Sequence, residues 1–221
     1  MLLQGQVGIQ SSQDGSLPPV RQGKQGDLIV SELHGRFYEQ CSRGTLFSAG
    51  SSTTALSANT IGLTASATPI VGVYNPSTSG VNLVILQASL QVSVQAASST
   101  APGSFVWAAS VGNNAITTGA APFNRKTLAL SGSQAKAFNG AVALTGITNN
   151  LVIFEGADMG SGIAITTAVV AATTVVPTMV SVQNFDGQII VPPGGVLALL
   201  NTVSTTNISV ASRLMWEEVP V

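Results

Sequence analysis

The chain has few charged residues. It contains 8 basic and 9 acidic residues among 221, so only 8% of the residues are charged, whereas an ordinary soluble domain has about 25%. The net charge of −1 excludes a basic nucleic-acid-binding surface and an acidic solvating tail, and we predict no nucleic-acid partner. A surface with so few charges protects poorly against association. The composition therefore favours a protein covered by copies of itself or by a partner.

Cysteine, histidine and aromatic residues are also scarce. Cys41 is the single cysteine, so an intrachain disulfide is excluded. His34, the single histidine, precedes Gly35 at a predicted turn, which makes it a weak candidate for a general base. The sequence has no Cys/His cluster with the spacing of a metal site. An aromatic content of 5% argues against a platform on which single-stranded nucleic acid stacks.

Other marks of an active site are missing as well. The paired carboxylates are limited to Glu155 with Asp158 and Glu217 with Glu218, and neither pair stands out as the acid and base of a glycosidase. The sequence contains neither a GxxxxGK[ST] nor a GxGxxG motif. We therefore predict that the protein is not an enzyme and that it binds neither a metal nor a cofactor.

Two segments bear on membranes. The first residues, MLLQGQVGIQSSQDG, have no basic region and no long apolar core, so we expect no secretory signal. The uncharged run from Met159 to Phe185 contains 19 residues long enough to span a bilayer, GIAITTAVVAATTVVPTMV. It is rich in threonine and β-branched residues and contains Pro177, which favours buried strands and a loop. We predict no membrane partner.

The residues that are abundant define the fold class. A hydrophobic fraction of 45% and a mean hydropathy of +0.41 are enough to build a core, which excludes a disordered chain. Valine and threonine favour pleated strands, while 23 glycines and 10 prolines divide the chain into short elements. Lysine and glutamate, which cover the wet faces of helices, are few. The composition predicts an all-β protein.

The clearest strand is predicted at Val81–Gln95. Glutamine and serine alternate there with apolar residues, and a period of two over this length indicates a strand. Its length is about 50 Å unless a bulge bends it. The predicted apolar face consists of Val84, Leu86, Ala88, Leu90, Val92 and Val94.

About ten strands separated by turn signals predict an antiparallel sandwich or barrel. The Pro192-Pro193-Gly194-Gly195 segment predicts a tight turn between two of them. The sequence also predicts that RFYEQ, residues 36–40, continues a strand beyond the turn at His34. The other predicted strands are residues 27–33, 45–48, 69–74, 105–111, 126–130, 151–155, 173–182, 187–191, 196–200 and 207–217.

Charge is distributed unevenly along the chain. Residues 1–26 are rich in glutamine, glycine and serine without an apolar period, which predicts an extended N-terminal arm, and residues 27–221 form the predicted β-sandwich domain. No charged residue occurs in the 81 residues from Gly44 to Asn124. A disordered tail is the alternative for the arm.

The base of the arm carries the predicted contact residues. Seven of the 17 charges lie between Arg21 and Arg43, and the alternative to a docking surface is an ordinary solvated face. We favour docking because charged contacts set the register between partners while apolar contacts supply affinity. The predicted contact residues are Arg21, Lys24, Arg36, Phe37, Tyr38 and Arg43.

Three segments resemble structural proteins of tailed bacteriophages. They are VRQGKQGDLIVSELHGRFYEQCSRGTLF, DGQIIVPPGGVLALL and the closing RLMWEEVPV. The resemblance is greatest to capsid cement, or decoration, proteins with a jelly-roll fold, and it covers the two ends of the chain best. It implies a homotrimer on the outer surface of an icosahedral virion, made in the host cytoplasm, with N-terminal arms that reach over major capsid protein subunits.

A tail or fibre receptor-binding protein on a similar β-sandwich is the alternative. Such a protein would use exposed loops with aromatic residues for glycan or protein contact. The predicted loops at Gly112–Gly119 and Asn139-Gly140 contain none. The sequence therefore favours the capsid decoration function over receptor binding.

Overall fold

The computed structural model describes residues 5–6, 20–21, 35–53, 66–94, 104–130, 132–139, 144–157, 179–204 and 208–221. The chain divides into two compact units, Met1–Glu39 and Gln40–Val221. In the first unit, two short strands pair in parallel, with Gly5 opposite Val20 and Gln6 opposite Arg21. The predicted arm and its boundary after residue 26 stay predictions.

The described residues are mostly β-strand, as the composition predicts. A single short helix interrupts the strands within them. The elements are β1 (Gly5–Gln6), β2 (Val20–Arg21), α1 (Tyr38–Arg43), β3 (Leu46–Thr53), β4 (Ser66–Ala67), β5 (Val71–Tyr74), β6 (Val81–Val94), β7 (Phe105–Ser110), β8 (Phe123–Asn124), β9 (Lys136–Asn139), β10 (Leu144–Thr145), β11 (Val152–Gly156), β12 (Met179–Val191), β13 (Val196–Asn201) and β14 (Ile208–Pro220).

Two five-stranded antiparallel sheets form the second unit. The first sheet has the order β12-β6-β14-β3-β8, and the second has the order β11-β7-β13-β5-β9. A further pair, β10 with β4, is also antiparallel. The prediction of an all-β, antiparallel sandwich is confirmed.

Eight strands of the two sheets pair in a nested order, while β8 and β9 are edge strands outside it. The first of the eight pairs with the last (β3 with β14), the second with the seventh (β5 with β13), the third with the sixth (β6 with β12) and the fourth with the fifth (β7 with β11). Successive pairs alternate between the two sheets, which the β14–β6 and β13–β7 pairings complete. The chain is thus folded in half as a long antiparallel ribbon, and the ribbon is divided between two layers.

The main hydrophobic core contains side chains from both sheets. Trp107 and Trp216 are its largest fully buried residues, and the ring of Trp107 meets Phe185 edge-on with 5.5 Å between ring centres. This geometry is one that aromatic rings prefer. Leu197 and Leu199 of β13 belong to the same core.

A second apolar cluster covers the other face of the second sheet. Val196, Ala198 and Leu200 alternate with the core residues of β13 and point into this cluster. The strand therefore has both faces buried, which explains its near-continuous apolar sequence. The residues that cover this face from outside the sheet are Ile116, Leu144, Ile147 and Leu151.

A β-bulge in β6 corrects the predicted apolar face. Trp216 pairs with Ile85 and Met215 pairs with Gln87, so Leu86 is an extra residue on β6. Because one extra residue reverses the alternation of side chains, the core residues before the bulge are Leu83 and Ile85 and not the predicted Val84, which is half-buried. Leu86 is buried as predicted, although it does not belong to the main core cluster. After the bulge the prediction is correct for Ala88, Leu90 and Val92.

The tight turn at Pro192–Gly195 is confirmed. The amide of Gly195 donates to the carbonyl of Pro192 at 2.8 Å. Pro193 and Gly194 occupy the two central positions, and Gly194 has a φ of +79°. Proline followed by glycine with positive φ is the pattern of a type II turn, and it joins β12 directly to β13.

Two predicted strands are wrong. RFYEQ contains a turn at Arg36 and Phe37 and then enters α1, where Tyr38 begins the helix. Residues 126–130 are mostly turn, in which the amide of Leu128 donates to the carbonyl of Asn124 at 3.0 Å. Both segments are short and mix polar with apolar residues, so the pattern of five residues could not distinguish a strand from a turn or a short helix.

The remaining predicted strands agree with the structure in position and differ in length. The strand predicted at 45–48 extends to Thr53. Residues 179–182 and 187–191 meet in the single strand β12, which has a register irregularity between Asn184 and Ile189, while residues 173–178 of the predicted strand lie outside the described residues. Residues 69–74, 105–111, 151–155, 196–200 and 207–217 correspond to β5, β7, β11, β13 and β14. Residues 27–33 lie outside the described residues.

Candidate docking surface

The predicted contact residues occupy three parts of the chain. Arg21 ends the short strand β2, and Lys24 lies outside the described residues. Arg36 and Phe37 form the turn before α1, which begins at Tyr38 and ends at Arg43. Four of the six residues are thereby placed in one continuous turn and helix.

The turn presents a cation and aromatic rings together. The guanidinium carbon of Arg36 lies 5.3 Å from the centre of the Phe37 ring, within the range of a cation–π contact. Arg36 is exposed and Tyr38 is 50% exposed. An exposed arginine beside exposed aromatic surface is a composition enriched in protein interfaces.

The helix that carries Arg43 has well-defined ends. The amide of Tyr38 donates to the carbonyl of Gly35 at 2.9 Å. At the other end the amides of Gly44 and Thr45 donate to the carbonyls of Cys41 and Gln40, which is the paired bonding of a Schellman motif. Arg43 in the last turn also interacts favourably with the helix dipole. The position of Arg43 is therefore fixed by backbone bonding.

Away from the predicted docking residues, a series of side-chain hydrogen bonds leads from the buried Trp107 to the exposed Glu155. The indole Nε1 of Trp107 donates to Gln183 Oε1 at 2.9 Å, and Gln183 Nε2 donates to Glu155 Oε1 at 2.6 Å. Gln183 is on β12 and Glu155 is on β11, so the bonds join the edge strands of the two sheets. They hold the exposed Glu155 carboxylate in a defined place.

A small cavity lies beside the Trp107–Gln183 hydrogen bond. It has a volume of ≈ 10 Å³ and is lined by residues of both sheets, among them Leu90, Trp107 and Leu199. This volume is enough for about one water molecule. The cavity is therefore too small for an organic substrate.

The strand β11 is exposed along its whole length. Val152 is 64% exposed, Ile153 40% and Phe154 47%. Exposed apolar edge strands offer unpaired backbone groups together with apolar side chains, and natural proteins usually protect them. We call Val152, Ile153, Phe154 and Glu155 the apolar edge. The sequence did not reveal it, because a short apolar run is also typical of a buried strand.

A buried polar network surrounds the Pro192–Gly195 turn. Asn113 is fully buried; its Nδ2 donates to Ser110 Oγ at 2.8 Å, and its Oδ1 accepts from the amides of Thr148 and Asn149 at 2.9 and 3.2 Å. The amide of Asn113 donates to the carbonyl of Gly194 at 2.9 Å. We call the segments around Ile116 and Ile147, which cover the outer face of the second sheet, the covering segments. Asn113 therefore joins the covering segments to the turn.

Tyr74 completes this network. Its hydroxyl donates to the carbonyl of Asn113 at 2.9 Å. Burial raises the pKa of Tyr74 above its usual 10.0, although a hydrogen bond with the Ser77 backbone acts in the opposite direction. The hydroxyl is therefore protonated at neutral pH and available to donate.

The carboxylate pair Glu217 and Glu218 has a structural use. Glu218 is buried, and its carboxylate accepts from the hydroxyl of Ser133 and from the amides of Gln134 and Ala135. Glu217 accepts from Thr45 Oγ1 at 3.3 Å. The two carboxylates bind different segments, which is not the arrangement of an acid–base pair.

Within the described residues, no group of three or more His, Cys, Asp or Glu side chains is placed to hold a metal ion. His34 and Asp158 are outside the described part of the chain. The helices described also include none with the length and hydropathy required to cross a membrane.

Comparison with known proteins identified no relative. No family model matches the chain, and searches of curated proteins and of solved structures found no match either.

Proposed function

We propose that the chain is a structural protein of a tailed-bacteriophage virion, which decorates and stabilises the capsid as a homotrimer by binding neighbouring major capsid protein subunits. The proposal combines the resemblance of the two ends of the sequence with the nested strand order. The docking surface in this proposal is the turn and helix that carry Arg36, Phe37, Tyr38 and Arg43, together with Arg21 and Lys24.

The strand order is the observation that carries most weight. This order of eight antiparallel strands, divided between two sheets, supports the proposal of a jelly-roll, a fold used by viral capsid and lectin domains. Fold alone does not define function. The order therefore supports the capsid hypothesis only in combination with the sequence resemblance and the scarcity of charge.

The surface chemistry supports the same function. A virion component persists without turnover, so a slow rate of unfolding matters more than catalytic activity. Many small and β-branched residues with few charges suit close packing between subunits. The apolar edge is a specific place on this chain where such packing is needed.

Particles that lack this protein are expected to assemble but to release DNA at a lower temperature, or after milder osmotic shock, than complete particles. The reason is that a trimer bound to several capsid subunits at once links them by multivalent contacts. The measurement is DNA release against temperature, with purified protein added back as the control. Unchanged particle stability would contradict the proposal, and loss of host attachment instead would favour a tail or fibre receptor-binding protein.

Reversing the charges of Arg36 and Arg43 to glutamate is expected to reduce binding to empty capsid shells. Each exposed ionic contact contributes only about 0.2–1 kcal/mol, but three copies in a trimer multiply the loss. Binding of the unchanged protein should also weaken with salt, since exposed charges are screened over about 10 Å at 0.1 M. The measurement is shell occupancy by sedimentation.

The same reversal at Lys136, which lies on β9 and donates to the carbonyl of Thr117, is the matched control and should leave occupancy unchanged. Equal occupancy of the Arg36 and Arg43 variant and the unchanged protein, at low and high salt alike, would place the docking surface elsewhere on the sandwich.

A further inference from the structure

Part of the outer face of the first sheet, separated from Glu217 by the bulge at Leu86, has few charges. The register places Val180 opposite Gln91, which is opposite Ala211, and it places Val182 opposite Ser89, which is opposite Arg213 and then Gly50. Val180 and Val182 are 65% and 53% exposed. We call these seven residues the neutral face: Gly50, Ser89, Gln91, Val180, Val182, Ala211 and Arg213.

Arg213 is the single charged residue of the neutral face. Its directly opposite neighbours, Ser89 and Gly50, carry no charge, and its guanidinium donates through Nη2 to Gln87 Oε1. Its Nε is buried and has no hydrogen-bond partner among the described residues. A half-buried guanidinium that is neutralised by no carboxylate within the described residues is costly, and a carboxylate supplied from outside would lower that cost.

The apolar edge has the complementary chemistry. It combines three exposed apolar side chains with one carboxylate, Glu155, which the Trp107–Gln183 hydrogen bonds hold in place. Glu155 has Gln183 as its hydrogen-bond partner and pairs with no cation in the described part of the chain. The apolar edge thus offers a carboxylate, which the neutral face lacks, and it offers apolar side chains that can pack against the uncharged residues of that face.

We propose that copies of this chain associate edge to face, with the apolar edge of one copy on the neutral face of the next and Glu155 of one copy paired with Arg213 of the next. The proposal rests on the homotrimer of the proposed function and adds its interface. The edge and the face belong to different sheets, so the contact is heterologous, and heterologous contacts form closed rings when the rotation closes. With three copies each edge and each face is used once.

The experiment measures molar mass by light scattering at micromolar concentration. The unchanged protein is expected at about three times 22.3 kDa. Arg213→Glu and Glu155→Arg should each raise the concentration needed for association by about 100-fold, the effect of removing one partner of a desolvated charge pair. The double variant should restore association to within about tenfold of the unchanged protein, because it re-forms the pair with exchanged signs.

Two further variants separate this interface from general effects. Lys126→Glu makes the same charge reversal in an exposed turn and should leave the mass unchanged, while Phe154→Asp should prevent association by placing a charge in the apolar edge. Thermal unfolding followed by circular dichroism confirms that each variant is folded. Single reversals that stay trimeric, or a double variant that is not restored, would overturn the interface.

The outcomes also separate this inference from the proposed function. A trimer that fails to bind shells, yet responds to the reversals as expected, would contradict capsid decoration and support the interface. A protein that decorates shells while its single reversals stay trimeric would support decoration and overturn the interface. A monomeric unchanged protein would overturn the edge-to-face contact.

Discussion

Replacing Gly146 by alanine is expected to lower the free energy of unfolding by about 3 kcal/mol or more. Gly146 has a φ of +81°, and an added Cβ would lie 2.6 Å from the carbonyl oxygen of Ala115. The left-handed conformation alone costs an L-residue about 1–2 kcal/mol. The remainder comes from separating two backbone segments, because the atom that is met is a carbonyl oxygen and not the end of a flexible side chain.

Gly80 is the matched control for this substitution. It has a φ of +68°, and an added Cβ would meet no atom within 4 Å. Gly80→Ala should therefore cost only the conformational energy, about 1–2 kcal/mol. Urea unfolding of both variants measures the difference. Equal costs at the two positions would show that Gly146 and Ala115 are not in close contact.

This contact matters because Gly146 lies between the residues that cover the second sheet. Leu144 and Ile147 are buried on either side of it, and Ile116 follows Ala115. These residues cover the outer face of the second sheet, which makes the two sheets different from each other. Strands β5, β7 and β13 of the second sheet are buried on both faces, while β11 at its edge is exposed and the first sheet exposes the neutral face. The second unit therefore has distinct surfaces for association.

Much of the architecture is readable from local sequence. Strands β5 and β13 were predicted because apolar runs there adjoin recognisable turn residues, Asn75-Pro76 and the Pro192–Gly195 turn, and β14 was predicted from the alternation of its apolar residues. The scarcity of helix-surface residues excluded a helical protein. These signals are local, and backbone and turn preferences determine them.

The errors come from features that depend on distant partners. The bulge at Leu86 is defined by its pairing with Met215 and Trp216, more than a hundred residues away. The helix at Tyr38–Arg43 has six residues, too few for a helical period to be visible. The loop predicted at Gly112–Gly119 contains no helix or strand in the structure. Its covering role was not predicted, because an isolated apolar residue such as Ile116 shows no period.

The candidate surfaces also divide into one that the local sequence indicates and two that depend on the pairing of distant strands. The Arg36–Arg43 segment was predicted as a docking surface because its charges are close together in the chain, and this role stays a prediction. The apolar edge and the neutral face were not found, since Glu155 and Arg213 are 58 positions apart and Val152–Phe154 has the same composition as a buried strand. Only the register shows which residues share an exposed face.

Replacing Asn113 by leucine is expected to lower the free energy of unfolding by about 2–4 kcal/mol. Leucine fills a similar volume but removes the acceptor of the Thr148 and Asn149 amides and the donor to Ser110. A buried polar group left without a partner costs about 1–3 kcal/mol. For a protein of this size the melting temperature should fall by about 5–15 °C.

Asn150→Leu is the control for this substitution, because Asn150 is exposed and lies one position beyond the amides that Asn113 binds. Surface substitutions of this kind usually change stability by no more than about 0.5 kcal/mol. Thermal and urea unfolding of both variants test the expectation. Since Asn113 also joins the covering segments to the Pro192–Gly195 turn, its loss should speed hydrogen exchange at Thr148 and Asn149 more than at the core strands β5 and β13. Uniform exchange, or a melting temperature equal to that of Asn150→Leu, would mean that the covering segments are held by apolar packing and not by this side chain.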